Sequence, residues 1–251
     1  MGQETLGTPI RLERLGGRSQ ELTMCGIVGL AGHFPAAAAE DLVNRMNGSI
    51  VHRGPDDAGA WATDGFAFAM RRLAIIDLAG GHQPMWTVDG VGIVFNGEIY
   101  NYRRLRDELE AAGYRFQSHS DTEVILHLYH RYGAAMVQRL EGMFAICLYD
   151  PRTRQVHLFR DRFGVKPLYY ARQAGTFLFA SEIKAILAVL PQRPALHRQA
   201  LHDYLTLRFI PSPATVWEGV HKLPPAHHLT LSLDSGEIQL ASYWRLEFQA
   251  Q

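Results

Sequence analysis

The chain is polar for its first 23 residues and changes texture abruptly at Met24. Cys25-Gly-Ile-Val-Gly-Leu-Ala31 is small, apolar and β-branched, which predicts a buried strand and places the start of the folded domain here. Leu42, Val43 and Met46 fall at helical spacing within Pro35 to Ser49, and the turn-rich run from His52 to Gly59 predicts a loop of fixed shape. A long strand is expected over Phe66 to Asp77, broken near Arg71 and Arg72, and a short one over Val91 to Phe95 that ends in an Asn96-Gly97-Glu98 turn. Tyr102 to Ala112 reads as an amphipathic helix stopped by Gly113. Ser120 and Glu123 stand at the spacing of a capping box ahead of Val124, Ile125 and Leu128. Strands over Met143–Tyr149, Val156–Arg160, Leu168–Arg172 and Phe177–Ala180 then read as a β-meander, followed by a helix over Ser181 to Leu190.

Six prolines from Pro191 to Pro225 suggest a wandering connector, so a boundary is placed near Pro194, leaving 24–194 as the domain and 195–251 as connector. No fixed-period repeat occurs. Helices that do not alternate one for one with strands argue for an α+β fold rather than a doubly wound parallel sheet.

Lys+Arg and Asp+Glu are both 25, so no basic surplus argues for nucleic acid or anionic lipid, and no apolar run approaches the ~20 residues of a membrane-spanning helix. Residues 1–23 mix Arg11, Arg14 and Arg18 with Glu4, Glu13 and Glu21 and lack a signal-peptide core. Two cysteines are too few for a disulfide scaffold, which makes a reducing cytoplasm the expected compartment. His127, His130 and the pair His227-His228 come without a carboxylate or cysteine cluster at metal spacing, so no metal is expected in this domain. Cys147, between apolar neighbours, reads as core.

Cys25 taken alone also reads as a small core residue. The preceding methionine changes its prospects. With translation starting at Met24 and that methionine removed, Cys25 would carry its thiol and a free α-amine together. An α-amine of pKa ~7.7 to 8.0 can then serve as base for a thiol of pKa ~8.5 near neutral pH, with no histidine involved.

Met24-Cys-Gly-Ile-Val-Gly29, His52-Arg-Gly-Pro-Asp-Asp-Ala-Gly59, Arg71-Arg-Leu-Ala-Ile-Ile-Asp77, Asn96-Gly-Glu-Ile-Tyr-Asn101, Ser120-Asp-Thr-Glu-Val124, Gly142-Met-Phe-Ala145 and Arg160-Asp-Arg-Phe-Gly-Val-Lys-Pro-Leu-Tyr-Tyr170 occur in that order. Together they resemble the class II glutamine amidotransferase domain of glutamine-hydrolysing asparagine synthetases, from Met24 to about Ala188. The resemblance implies the four-layer αββα sandwich of N-terminal-nucleophile hydrolases, and a glutaminase that breaks L-glutamine into glutamate and ammonia through a thioester on Cys25. By the same resemblance Asn96 and Gly97 hold the oxyanion, Arg72 grips the substrate α-carboxylate, and Glu98 and Asp121 face its α-amine. Ile75 and Ile76 line the pocket through backbone groups. His52, Arg53 and Asp56 are read as structural first, shaping the loop beside Cys25. Read without the resemblance, Asn96-Gly97 is a turn, Arg72 a surface arginine and Asp121 a helix cap.

A complete asparagine synthetase adds a domain with a Ser-Gly-Gly-x-Asp-Ser pyrophosphate loop, which this sequence lacks; Leu231-Ser-Leu-Asp-Ser-Gly236 has the composition in another order. ATP and magnesium are therefore expected only in a separate synthetase domain or chain, which would take the ammonia to aspartate or a related acceptor. A homodimer stays open. The leader is read as a misassigned start, with a self-cleaved propeptide or a non-catalytic relic as the alternatives. If the relic is right, the chain would bind glutamine or a partner without turning it over.

Overall fold

The computed structural model describes residues 24–73 and 81–247. The elements in chain order are β1 (Gly26–Ala31), α1 (Ala36–Gly48), β2 (Asp57–Thr63), β3 (Phe66–Arg72), β4 (Met85–Trp86), β5 (Gly92–Ile99), α2 (Tyr102–Ala111) and α3 (Asp121–Tyr132). They continue with β6 (Gly142–Asp150), β7 (Gln155–Arg160), β8 (Tyr169–Gln173), β9 (Thr176–Ala180), α4 (Ile183–Leu187), α5 (Arg198–Leu207), β10 (Val220–Lys222), β11 (His227–Ser232) and β12 (Ile238–Ser242).

Among the described residues the strands form two sheets, ordered β10-β8-β9-β1-β3-β2 and β12-β11-β7-β6-β5-β4, and every strand pair is antiparallel. The two-residue alternation of side chains explains the layering. Ile27, Phe66, Phe68, Met70, Val94, Cys147 and Phe179 point into one shared core between the sheets. Their neighbours Val28, Leu30, Ala67, Ala69 and Leu178 pack outward against Val43 and Met46 of α1 and Ile186 of α4. On the far side Ile93, Phe95, Phe144 and Ile146 meet Leu105 of α2 and Val124 and Leu128 of α3. The result is the αββα sandwich. Strands buried on both faces read as continuous apolar runs, which is why β1, β3, β6 and β9 stand out in the sequence.

Several expectations need correction. The meander is split: β6 and β7 belong to one sheet, whereas β8 and β9 belong to the other. The chain crosses over in the loop from Asp161 to Leu168. Arg160 fixes that loop by donating to the carbonyls of Gly164, Lys166 and Leu223. β2 has no counterpart in the sequence reading, because Asp57-Ala-Gly-Ala-Trp-Ala-Thr63 at a sheet edge carries little hydrophobic pattern. Asn96-Gly97 is not a turn, since β5 runs straight through it and pairs residue for residue with β6 as far as Ile99 and Gly142. Gly97 is small because its chain lies close to β6: an added Cβ would sit 2.1 Å from the Met143 carbonyl oxygen.

The capping box is half formed. Ser120 caps α3 by accepting from the Thr122 N–H, but Glu123 turns back to the N–H groups of Gln117 and Ser118 instead of that of Ser120. The helix expected over Ser181 to Leu190 is regular only over α4. Both sheets take strands from beyond Pro194, β10 in one and β11 and β12 in the other. Among the described residues no helix is long and apolar enough to cross a membrane.

Candidate active site

Cys25 sits just ahead of β1, where Gly26 pairs with Arg71 of β3. This register brings the residue that follows β3 against the thiol, and the Leu73 N–H points at Cys25 Sγ from 3.4 Å. The backbone of Cys25 is held separately, because Arg53 Nε donates to its carbonyl oxygen at 3.0 Å. Gly26 makes room for that arginine; a Cβ there would lie 2.9 Å from Arg53 Cδ. Glu182, just before α4, accepts from Arg53 Nη1 at 3.0 Å and lies 2.8 Å from His52 Nε2 and 3.2 Å from Lys184 Nζ. These three partners hold its carboxyl below the usual range against the opposing effect of burial. Asp56 is exposed in the same loop.

The second half of the site is the outer edge of β5. N–H groups two residues apart along a strand point the same way. The Phe95 N–H donates to Gln83 Oε1 at 2.6 Å and the Ile99 N–H to Asp121 Oδ2 at 3.0 Å. The N–H of Gly97 lies between them and shares their direction, away from β6. Asn96 alternates with Val94 and so projects into the space between the sheets, where Cys25 also packs. Its side chain is only 1% exposed, and its Nδ2 has no hydrogen-bond partner. A buried amide donor without a partner is costly unless something else takes the bond.

Cys25, Arg72, Gln83, Gly97, Glu98 and Asp121 line one cavity of about 80 Å³. Arg72 is buried at the end of β3. Asp121 is the first residue of α3, and burial pushes its carboxyl pKa up, with the Glu98 charge adding to the rise and the bond from the Ile99 N–H opposing it. One guanidinium and two carboxylates around a small cavity complement a zwitterionic α-amino acid.

The structure thus gathers Cys25, Arg72, Gly97, Glu98 and Asp121 around one cavity and buries Asn96 beside Gly97 on the same strand, while Ile75 and Ile76 lie outside the described residues. Sequence reasoning missed Leu73, Gln83 and Glu182. Leu73 acts through its backbone N–H and Gln83 through side-chain bonds to the Phe95 N–H and the Thr122 hydroxyl, and neither carries a pattern of its own. Cys147 lies in the core between the sheets, and burial pushes its thiol well up. A larger cavity of about 840 Å³ opens among Met85, Trp86, Tyr114, His127 and His130. It contains no cysteine, and its buried carboxylate, Glu123, is engaged by Gln117 and Ser118. Among the described residues no group of three His, Cys, Asp or Glu gathers as metal ligands would.

A family model described as a glutamine amidotransferase domain matches residues 24–244. Asparagine synthetase [glutamine-hydrolyzing] 1 of Bacillus subtilis is 40% identical over 90% of this chain and 36% of its own length. A putative asparagine synthetase [glutamine-hydrolyzing] of Mycobacterium tuberculosis is 41% identical over 80% of this chain and 34% of its own. The chain spans about a third of the length of these relatives. Among solved structures, the glutamine phosphoribosylpyrophosphate amidotransferase of B. subtilis superposes with a TM-score of 0.65 at 19% identity, covering 88% of this chain and 49% of that one. This likeness shows a shared fold.

Proposed function

The chain belongs to the glutamine amidotransferase domain family, and on that premise we propose that it hydrolyses L-glutamine to glutamate and ammonia, with Cys25 as the nucleophile. The α-amine of Cys25, freed by removal of Met24, takes the thiol proton as Sγ attacks the side-chain amide carbon of glutamine. The carbonyl oxygen becomes an oxyanion held by Asn96 Nδ2 and the Gly97 N–H. Proton transfer to the amide nitrogen breaks the C–N bond, releases ammonia and leaves a γ-glutamyl thioester. Water then attacks the thioester, giving glutamate and restoring the thiol. Arg72 binds the substrate carboxylate, and Glu98 and Asp121 bind its ammonium group.

The observation that carries this reading is the buried Asn96 amide donor, without a partner among the described residues, beside the Gly97 N–H that points out of the same strand between two engaged neighbours. By analogy with the relatives, the ammonia passes to aspartate or a related acceptor on a synthetase domain or chain, where ATP and magnesium would belong.

A second reading, a fold that binds without catalysis, is favoured by one fact. In the structure Cys25 is joined to Met24, and an amide nitrogen is no base. Intact mass and labelling with the glutamine analogue diazo-oxo-norleucine separate the two. A chain beginning at Cys25 that labels there and releases ammonia from glutamine supports the enzyme. A verified Cys25 terminus without labelling supports the binding protein, and turnover by a chain still carrying Met1 would overturn the amine-base mechanism.

A further inference from the structure

Lys166 is only 5% exposed, yet among the described residues no carboxylate lies within 4 Å of its ammonium. Buried lysines are ordinarily paired, because an uncompensated charge in the interior costs several kcal/mol. The obvious partner is already engaged. Asp161, five residues earlier, accepts from the backbone N–H groups of Phe144, Phe163, Val165 and Lys166 itself, two on each oxygen. With Arg160 binding two carbonyls of the same loop and tying it to the Leu223 carbonyl, the segment from Asp161 to Lys166 is a rigid mount that presents the lysine. Its Nζ ends 3.2 Å from Met24 Sδ, the side chain of the residue whose removal would create the α-amine of Cys25.

Burial lowers the pKa of Lys166; against it Cys25, Glu98 and Asp161 favour the ammonium form, while Arg53 disfavours it. The lysine is therefore within electrostatic reach of the nucleophile, of Glu98 at the cavity and of Arg53. Loss of Met24 removes the thioether from Lys166 and turns the nitrogen of the next residue, Cys25, from an amide into an amine. Two neighbouring amines cannot both hold a proton without repulsion, and the lysine has the higher intrinsic basicity.

We propose that Lys166 is a positioning residue for the nucleophile: its buried ammonium keeps the α-amine of Cys25 unprotonated, and so able to accept the thiol proton. The proposal rests on the glutaminase reading above. It adds a residue that neither touches glutamine nor reacts, and that acts only through the charge state of the amine.

The test is the pH dependence of glutamine hydrolysis by the purified protein, its N-terminus verified by intact mass, in unmutated form and as K166M and K166R. The acid limb of kcat/KM should move to higher pH by about one unit in K166M. K166R should keep the unmutated limb, and KM at high pH should change little in either variant. Activity in K166M with the acid limb unmoved would overturn the proposal. K166Q replaces K166M if the latter loses its cooperative thermal transition, and loss of that transition in both would make the lysine structural and equally overturn it. Failure of the underlying reading looks different: the unmutated protein, with Cys25 verified as its first residue, would release no ammonia at any pH.

Discussion

Arg53 holds the carbonyl oxygen of Cys25 at 3.0 Å, so the residue that leads into β1 is fixed from its backbone while its thiol stays open to the cavity. Glu182 completes the clamp by fixing the other end of the guanidinium. Substituting Arg53 by Lys keeps the charge and loses the fork geometry. A charge-assisted bond of about 1.5 to 3 kcal/mol converts to a fall in kcat of roughly 10- to 100-fold, with KM nearly constant. Steady-state kinetics on R53K would show it; a rise in KM alone would place Arg53 in substrate binding instead.

Asn96 offers a buried amide donor without a partner among the described residues. N96A should lower kcat by about 10² to 10³, the usual loss for one oxyanion donor, while the thermal midpoint stays level or rises because a buried unsatisfied group is gone. An N96A protein with normal kcat would exclude the residue from the oxyanion site.

Asp121 has a raised pKa, chiefly from burial. An acid whose folded pKa lies above its unfolded value near 3.8 destabilises the fold as pH rises through the interval between the two, because the unfolded state ionises first. D121N removes that penalty while still accepting from the Ile99 N–H. Its thermal midpoint at neutral pH should exceed that of the unmutated protein, whereas KM for glutamine should rise about tenfold or more for want of a charge facing the ammonium. Scanning calorimetry and glutamine titration read the two effects separately.

His157 and His228 form a pair across β7 and β11, Nδ1 to Nε2 at 3.0 Å, with His228 stacked on Phe159 at 4.2 Å. Burial lowers their pKa values to about 4 and about 3. Below the ordinary value of 6.5 the unfolded chain takes up protons that the folded one refuses. Stability is therefore full above that pH and declines as pH falls towards the folded values. H228F keeps the stack and should reduce the slope of stability against pH between 6 and 4 by roughly one proton. An unchanged slope in urea titrations across that range would remove His228 from the acid response.

Gly97 has no room for a methyl group against Met143 and Phe144. G97A should cost about 3 kcal/mol or more, by pushing β5 away from β6. Its loss of activity should accompany a drop in thermal midpoint, unlike that of N96A.

The layers of the fold were legible because β1, β3, β6 and β9 bury both faces and show it as unbroken apolar runs. β2 was not legible, since an edge strand built mostly of Ala and Gly around one tryptophan owes its place to pairing with β3 rather than to its own pattern. The Asn-Gly pair misled in an instructive way. The same dipeptide that suits a turn was needed here for a close strand contact at the glycine and a buried amide at the asparagine. Of the site, Arg72, Glu98 and Asp121 could be named from motifs. Gln83 could not, because it acts by bonding the Phe95 N–H twelve residues away and the Thr122 hydroxyl, neither of which sequence spacing signals. Lys166 lay inside a motif without a role, and only its burial without a carboxylate singled it out.

The outer border of β5 has a consequence for solubility. β4 covers only Gly92 and Ile93, and beyond them the strand would be an open sheet edge, a template for intermolecular pairing. Gln83 and Asp121 close it by taking alternate donors, and among the described residues the Gly97 N–H between them is left as a gap one residue wide. The edge is thus too interrupted to recruit a foreign strand and still open enough to hold a single oxygen. A Gln83→Ala protein would release a second donor beside the first, and its aggregation on storage should track its loss of activity.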